Sequence, residues 1–187
     1  ARLEAEGELL RSMGYELAER YCRMRVWLEE PPPEPQWPHG VRVRTAVRGE
    51  DERRAYEVIE DANSDDPRHE PMEYSSWLRL MVDTYRYDPS LWWLVREGEE
   101  IVGAALGVEF ADEGWIRLVG VRREWRRRGI ATALLRTAFS EFWRRGYRRV
   151  ELGVDPDSPF GAQEIYARSG MHVAFELVKY QRELPCP

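Results

Sequence analysis

Apolar positions along the chain switch between two periods, and the switches mark out its elements. "VRVRTA", from Val41, alternates apolar with polar and predicts a strand. "EDERRAYEVIEDANSDD" instead places Ala55, Val58, Ile59 and Ala62 at helical spacing, and a second helix is predicted around Glu73 to Tyr85. "LWWLVREGEEIVGAALGVEF" reads as two strands with a turn near Glu97 to Glu100, and "GWIRLVGV" as a third strand, reached through the acidic turn Ala111 to Gly114. From Ile130 the helical period returns, with Ile130, Ala133, Leu134, Thr137, Ala138 and Phe142 on one stripe that stops at Gly146. "YRRVELGVD" is then a strand, "GAQEIYARSG" a helix ending at Gly170, and the tail supplies one or two closing strands. The order is mixed α/β.

The two ends of the chain resemble each other. Aligning Gly14 with Gly170 brings Arg11–Leu28 onto Ala167–Leu184, so that Leu17 meets Val173, Ala18 meets Ala174 and Leu28 meets Leu184. Helix end, glycine and strand-like run recur in both. Residues 1–30 are therefore expected to be the closing unit of a preceding domain, and 41–187 a domain of their own. Between them the prolines of "EEPPPEPQWPHG" (residues 29–40) exclude a helix interior or central strand and predict a stiff, extended linker.

Composition narrows the class. At 187 residues and 43% hydrophobic content the chain has enough for one full domain with a core and a fragment of a second. No window approaches the roughly 18 consecutive apolar residues of a membrane span, and no secretory signal pattern opens the chain, so a cytoplasmic protein with no membrane partner is expected. Cys22 and Cys186 stand far apart without metal-ligand spacing, and His39, His69 and His172 are scattered, so no metal site is expected. The net charge is −6, yet Lys179 is the one lysine; every other cation is arginine. That acidic balance argues against a nucleic-acid partner, although "WRRRG" and "FWRRGYRR" mix basic and aromatic residues.

The densest positive charge lies in "VGVRREWRRRGIATALL", between a strand ending near Val121 and a helix beginning near Gly129. The first N–H groups of a helix have no partner within it, and the helix dipole favours an anion there. Gly129 allows close approach, Ala131 keeps the next turn small, and Arg126, Arg127 and Arg128 add charge around a phosphate-sized site. Neither GxxxxGK[ST] nor a GxGxxG after a first strand is present, which removes the nucleoside-triphosphate and dinucleotide readings.

What remains is R-x-x-G-x-A, Arg126, Gly129 and Ala131, following "LVGV". With "GAQEIYARSGM" downstream, the sequence from Val41 to Leu184 resembles the GCN5-related N-acetyltransferase (GNAT) family, and within it the C-terminal half of tandem acetyltransferases of the mycothiol-synthase type. The resemblance implies a mostly antiparallel sheet, flanked by helices, whose fourth and fifth strands run parallel and splay apart. It places a strand bulge at Gly120. It implies acetyl-CoA as co-substrate and direct transfer to an amine, expected to be small. It places the pyrophosphate on Arg126 to Thr132, with Ile130 in that turn, assigns the Val119 backbone N–H to the thioester carbonyl and Val121 to the pantetheine arm, and sets Ser158 where the family often has asparagine. Tyr166 matches the residue that protonates the leaving thiolate. A partner in the form of a preceding GNAT domain or a second copy is implied as well.

Departures from the pattern leave alternatives open. Where several members carry a glutamate base, this chain has Trp115, with Arg117 two residues later. Glu109 and Glu151 are candidate bases through a water, weighed against solvated surface groups. Trp77, Trp92 and Trp93 are expected in the core rather than in an acceptor pocket, and the acidic run Asp61 to Asp66 is either a solvated loop or an attractor of cationic amines. The missing base motivates a second reading, a half that binds acyl-CoA or packs on a partner without catalysing transfer.

Overall fold

The computed structural model describes residues 2–84 and 86–182, with side chains from Glu6 onward. Ala1, Tyr85, Leu184 and Cys186 lie outside the described residues. Helix α1 (Arg2–Ser12) leads through Gly14 into strand β1 (Glu16–Trp27), followed by β2 (Val41–Thr45) and α2 (Glu52–Asn63). The second predicted helix forms as α3 (Tyr74–Leu78) and continues as a π-helical turn, Arg79–Thr84. The Glu73 side chain caps it by accepting from the Ser76 N–H. Then come β3 (Trp92–Glu97), β4 (Glu100–Phe110), β5 (Glu113–Val121), α4 (Ile130–Arg144), β6 (Arg149–Val154), α5 (Ala162–Arg168) and β7 (His172–Gln181). The closing segment is thus a single described strand.

These seven strands form one sheet in the order β2-β3-β4-β5-β6-β1-β7. Every pairing is antiparallel except β5 with β6. The apolar run "LWWL" is buried on both faces of the sheet and divides into two layers of core. Trp92 and Leu94 turn to α2 and α3, beside Ala55, Ile59 and Trp77, whereas Trp93 and Val95 turn to α4, beside Leu134, Phe139 and Phe142. Trp77, Trp92 and Trp93 are 3%, 0% and 3% exposed, so all three are core and none lines a pocket. Arg44 ties β2 to the start of α2, with Nη1 and Nη2 donating to the two oxygens of Asp51 at 2.5 and 2.9 Å.

The N-terminal segment sits inside the sheet. β1 lies between β6 and β7, and its inward residues Cys22, Met24 and Val26 join the core beneath α4. Even the proline-rich connection is anchored, through Trp37 packed against that core. β1 and β7 pair antiparallel with Tyr21 opposite Leu177, two positions that are equivalent when Gly14 is aligned with Gly170. The two similar units therefore face each other across a local twofold.

Candidate active site

Parallel pairing of β5 with β6 spans only Gly114↔Val150, Trp115↔Glu151 and Ile116↔Leu152. Beyond Ile116 the strands part, and the cause lies in β5. On the β4 side, Leu106 pairs with Leu118 but Gly107 with Ile116, so Arg117 is an extra residue, a bulge that bends the strand. The bulge also reverses which side chains face which layer. Ile116 belongs to the core beneath α4, yet so do Val119 and Val121, whereas Leu118 packs with the α2 layer.

This corrects the expectation that placed the bulge at Gly120. That glycine serves another end: a Cβ there would stand 2.9 Å from both the Ala62 Cβ and the Ile59 Cδ1, so its absence lets α2 lie directly on β5. Past the bulge the Arg122 N–H donates to the Val102 carbonyl on β4. Antiparallel alternation then turns the amides of Gly120 and Leu118 toward β4, and those of Val119 and Val121 away from it, into the gap beside β6. Val121 confirms the direction, since its carbonyl accepts from Arg126 Nε at 3.2 Å on the far side from β4.

The turn after β5 delivers the N-terminus of α4 to the end of that gap. Arg127 and Gly129 both have positive φ, 62° and 83°. A Cβ on Gly129 would meet nothing within 4 Å, so the glycine is required by its backbone conformation and faces open space. No side chain caps α4. The Ala133 N–H is the first to close the helix, on the Gly129 carbonyl, which leaves the amides of Ile130, Ala131 and Thr132 directed out of its end. Ile130 is buried and anchors the turn, while Ala131 and Thr132 are half-buried at the rim.

The three arginines do not act alike. Arg126 is folded inward: Nη1 and Nη2 donate to the Asp65 carboxylate at 2.7 and 2.8 Å, Nη2 also to the Ala62 carbonyl at 2.8 Å, and the guanidinium lies 4.5 Å from the Phe160 ring centroid. Its charge is committed, and it serves as a pin holding the end of α2, the end of β5 and the loop before α5 around the turn. Asp65 is correspondingly held below the usual carboxylate range by the Arg126 hydrogen bonds. Arg128 leans on Trp125, its guanidinium 4.4 Å from the ring, and donates to the Glu124 carbonyl. Arg127 and Arg128 are the exposed cations of the turn.

The acidic run is engaged in the same way, Asp61 with Arg122 at 3.3 Å, Asp65 with Arg126 and Asp66 with Arg68. Arg68 also reaches Asp155 at 2.8 Å and the Asp157 carbonyl at 3.1 Å, tying this loop to the one that follows β6. Ser158 lies in that second loop. Its Oγ accepts a long 3.4 Å bond from the Phe160 N–H.

Tyr166, half-buried on α5, packs against the same core as Val119 and Ala131. Its hydroxyl makes no hydrogen bond among the described residues. Desolvation pushes its pKa up to about 12, so the phenol keeps its proton throughout the neutral range. Both candidate bases are engaged by arginines. Glu109 accepts from Arg145 at 2.8 Å, and Glu151, fully buried, is bound by Arg23 and Arg25 on the face away from α4. Trp115 shares that face beneath Arg23, 4.4 Å from the guanidinium to the ring centroid.

Splayed parallel strands, free amides along the gap and an open helix N-terminus at its end make a slot for an extended arm ending in a phosphate. Residues 52–171 match the sequence model of the acetyltransferase (GNAT) family. The chain belongs to that family. Among curated GNAT relatives, the mycothiol acetyltransferase of Streptomyces bingchenggensis (strain BCW-1) is 35% identical over 143 residues, covering 74% of this chain and 45% of its own. That of Thermobispora bispora is 30% identical over 179 residues, covering 90% and 59%. The GCN5-related N-acetyltransferase from Sphaerobacter thermophilus superposes with a TM-score of 0.82 at 43% identity, over 95% of this chain and 55% of that one. A tandem GNAT protein from the clavulanic acid biosynthesis pathway shares the fold, with a TM-score of 0.70 at 15% identity. The chain spans about half the length of the curated relatives it matches.

Among the described residues no group of histidine, cysteine, aspartate or glutamate is placed to hold a metal, and no helix is long and apolar enough to cross a membrane. Sequence reasoning missed the Arg126–Asp65 pin and the Arg117 bulge. The first joins positions 61 residues apart. The second leaves no trace in an alternating strand.

Proposed function

We propose that the domain transfers an acetyl group from acetyl-CoA directly to the amine of a small acceptor. The observation that carries this is the end of β5–β6 pairing at Ile116↔Leu152, where the Arg117 bulge turns the Val119 and Val121 amides into the gap. Acetyl-CoA fits that geometry. The outward amides of Ile130, Ala131 and Thr132, with Gly129 open beside them and Arg127 and Arg128 around them, suit its pyrophosphate. The Val121 backbone and Ser158 suit the pantetheine arm. Acetyl-CoA supplies an activated acyl group. The chain's part is to polarise the carbonyl through the Val119 N–H and to give the leaving sulfur a proton from Tyr166 Oη; the tyrosinate then takes the proton that the attacking nitrogen sheds as the amide forms, which restores the phenol. The acceptor amine enters deprotonated from solution, since Glu151 is held by Arg23 and Arg25 and Glu109 by Arg145.

Thiol release from acetyl-CoA across a panel of small amines tests this reading, with Tyr166→Phe lowering kcat more than tenfold near neutral pH. Equal rates in the two proteins would remove Tyr166 from the mechanism. The lack of a free base favours a second reading, in which the domain holds acyl-CoA without turnover. Tight CoA binding with no thiol release from any amine would support it.

We further propose that residues 1–30 are the closing unit of a preceding GNAT repeat and that 41–187 form the second. The twofold pairing of β1 with β7 about Tyr21↔Leu177 supports this, as does the length of the relatives.

A further inference from the structure

A second group of charges lies on the sheet face opposite α4, where acetyl transfer as described makes no use of it. Arg23 and Arg25 on β1, Arg149 and Glu151 on β6, and Glu113 on β5 turn to that face, because the alternate residues Met24, Val26, Val150 and Leu152 fill the core beneath α4. Glu113 and Glu151 are 5% and 0% exposed. Buried carboxylates are costly unless paired, and both are. Arg23 bridges them, Arg25 Nε donates to Glu151 at 2.5 Å, and Arg149 Nε stands 2.8 Å from Glu113. Three guanidinium groups thus surround two buried carboxylates. Asp112, which Arg149 also reaches at 2.9 Å, is exposed at the rim, so three guanidinium groups meet three carboxylates there.

The cluster opens onto a recess of about 300 Å³ walled by Phe110 and Phe175. Both rings are more exposed than core aromatics, at 56% and 40%. Arg25 is the arginine with donors to spare: Nε is taken by Glu151, while Nη1 and Nη2 make no hydrogen bond among the described residues. A guanidinium oriented by a buried carboxylate, with its two terminal nitrogens open, matches the geometry of an incoming carboxylate.

We infer that this recess binds a carboxylate of the amine acceptor through Arg25, with Phe110 and Phe175 against the adjoining apolar part. The inference rests on the acetyltransferase reading above. Trp115, stacked on Arg23, is level with Arg25 two strands away through Glu151, and Val119 lies three rises further along β5 once the Arg117 bulge is discounted, so Arg25 and the transfer point stand about 14 Å apart at roughly 3.3 Å per residue and 4.8 Å per strand. Because α4 fills the opposite face, an acceptor reaches the Val119 amide from the Trp115 side. The acceptor class is therefore an amine carrying its carboxylate roughly 14 Å away, the span of an extended tetrapeptide.

The test has a binding arm and a turnover arm. Titrating 3-phenylpropionate and 3-phenylpropanamide while following the tryptophan indole resonances should show the acid binding at least tenfold tighter, with the preference abolished by Arg25→Gln. Arg25→Lys, which leaves a cation beside Glu151, should fold and cut the preference at least threefold. Acetyl-CoA affinity should be unchanged in both variants. In turnover, tetrapeptides with a free C-terminal carboxylate should be acetylated at least tenfold more efficiently in kcat/KM than their C-terminal amides. Equal binding of acid and amide, a preference that survives both substitutions, or equal turnover of the two peptides would overturn the inference. Failure of the acetyltransferase reading is seen separately, as absence of acetyl-CoA binding, and leaves the phenylpropionate result standing.

Discussion

At the scale of single residues, the site depends on groups whose environments fix their protonation. Tyr166 has its pKa raised by desolvation to about 12, so the phenol is protonated below that value and lost as a donor only above it. The pH profile of kcat should accordingly show no alkaline limb from Tyr166 below pH 10, and a limb near the ordinary phenol value of about 10 would contradict this environment. Arg126 makes the opposite kind of prediction. Hydrogen bonds from Arg126 lower the pKa of Asp65, so the pin is complete above the ordinary carboxylate pKa of about 3.9 and is lost only as pH falls through the depressed value. Acetyl-CoA affinity should be insensitive to Asp65 between pH 8 and 5, whereas Arg126→Ala should weaken it about tenfold, by about 1.4 kcal/mol, through a loosened turn. A titration that finds the variant unweakened would return Arg126 to the role of a plain surface charge. The sequence shows an arginine next to an open helix N-terminus and invites a direct contact with an anion there; nothing local reveals that Asp65 has already claimed it.

At the scale of elements, legibility follows whether the signal is local. The α4 stripe of Ile130, Ala133, Leu134, Ala138 and Phe142 faces a continuous core, so its period marks the helix as it stands. The apolar run of "LWWLV" marks a strand buried on both faces, and its successive residues enter the two core layers in turn. The β5 bulge is different, because any residue can be the extra one and only the register against β4 shows it to be Arg117. The family resemblance places the bulge at Gly120, yet the role of that glycine is contact with α2. Gly120→Val should therefore destabilise the fold by about 1–3 kcal/mol through overpacking against Ile59 and Ala62, measured by denaturant unfolding, and an unchanged midpoint would show that α2 moves aside without cost.

At the scale of the whole molecule, the terminal repeat reveals an equivalence but not a location. Nothing in Arg11–Leu28 says that its strand sits between β6 and β7, because that position is set by partners more than a hundred residues away. Its buried Met24, Val26 and Leu28 each contribute about 1.5–3 kcal/mol on burial, a sum comparable with the roughly 5–15 kcal/mol that separates folded from unfolded domains. A chain beginning at residue 31 should lose its cooperative thermal transition in circular dichroism, and a preserved transition would show β1 to be dispensable. The same architecture brings the gap between β5 and β6 and the start of α4 to one place, and the central claim is that acetyl-CoA binds there. Calorimetric titration of acetyl-CoA into the protein and into Gly129→Val tests it most directly, since valine does not readily adopt the φ of 83° and its side chain would point into the open end of the slot. Saturable binding that falls at least tenfold in the folded variant is the predicted result; equal affinity in both proteins, or none in the unmodified chain, would contradict it.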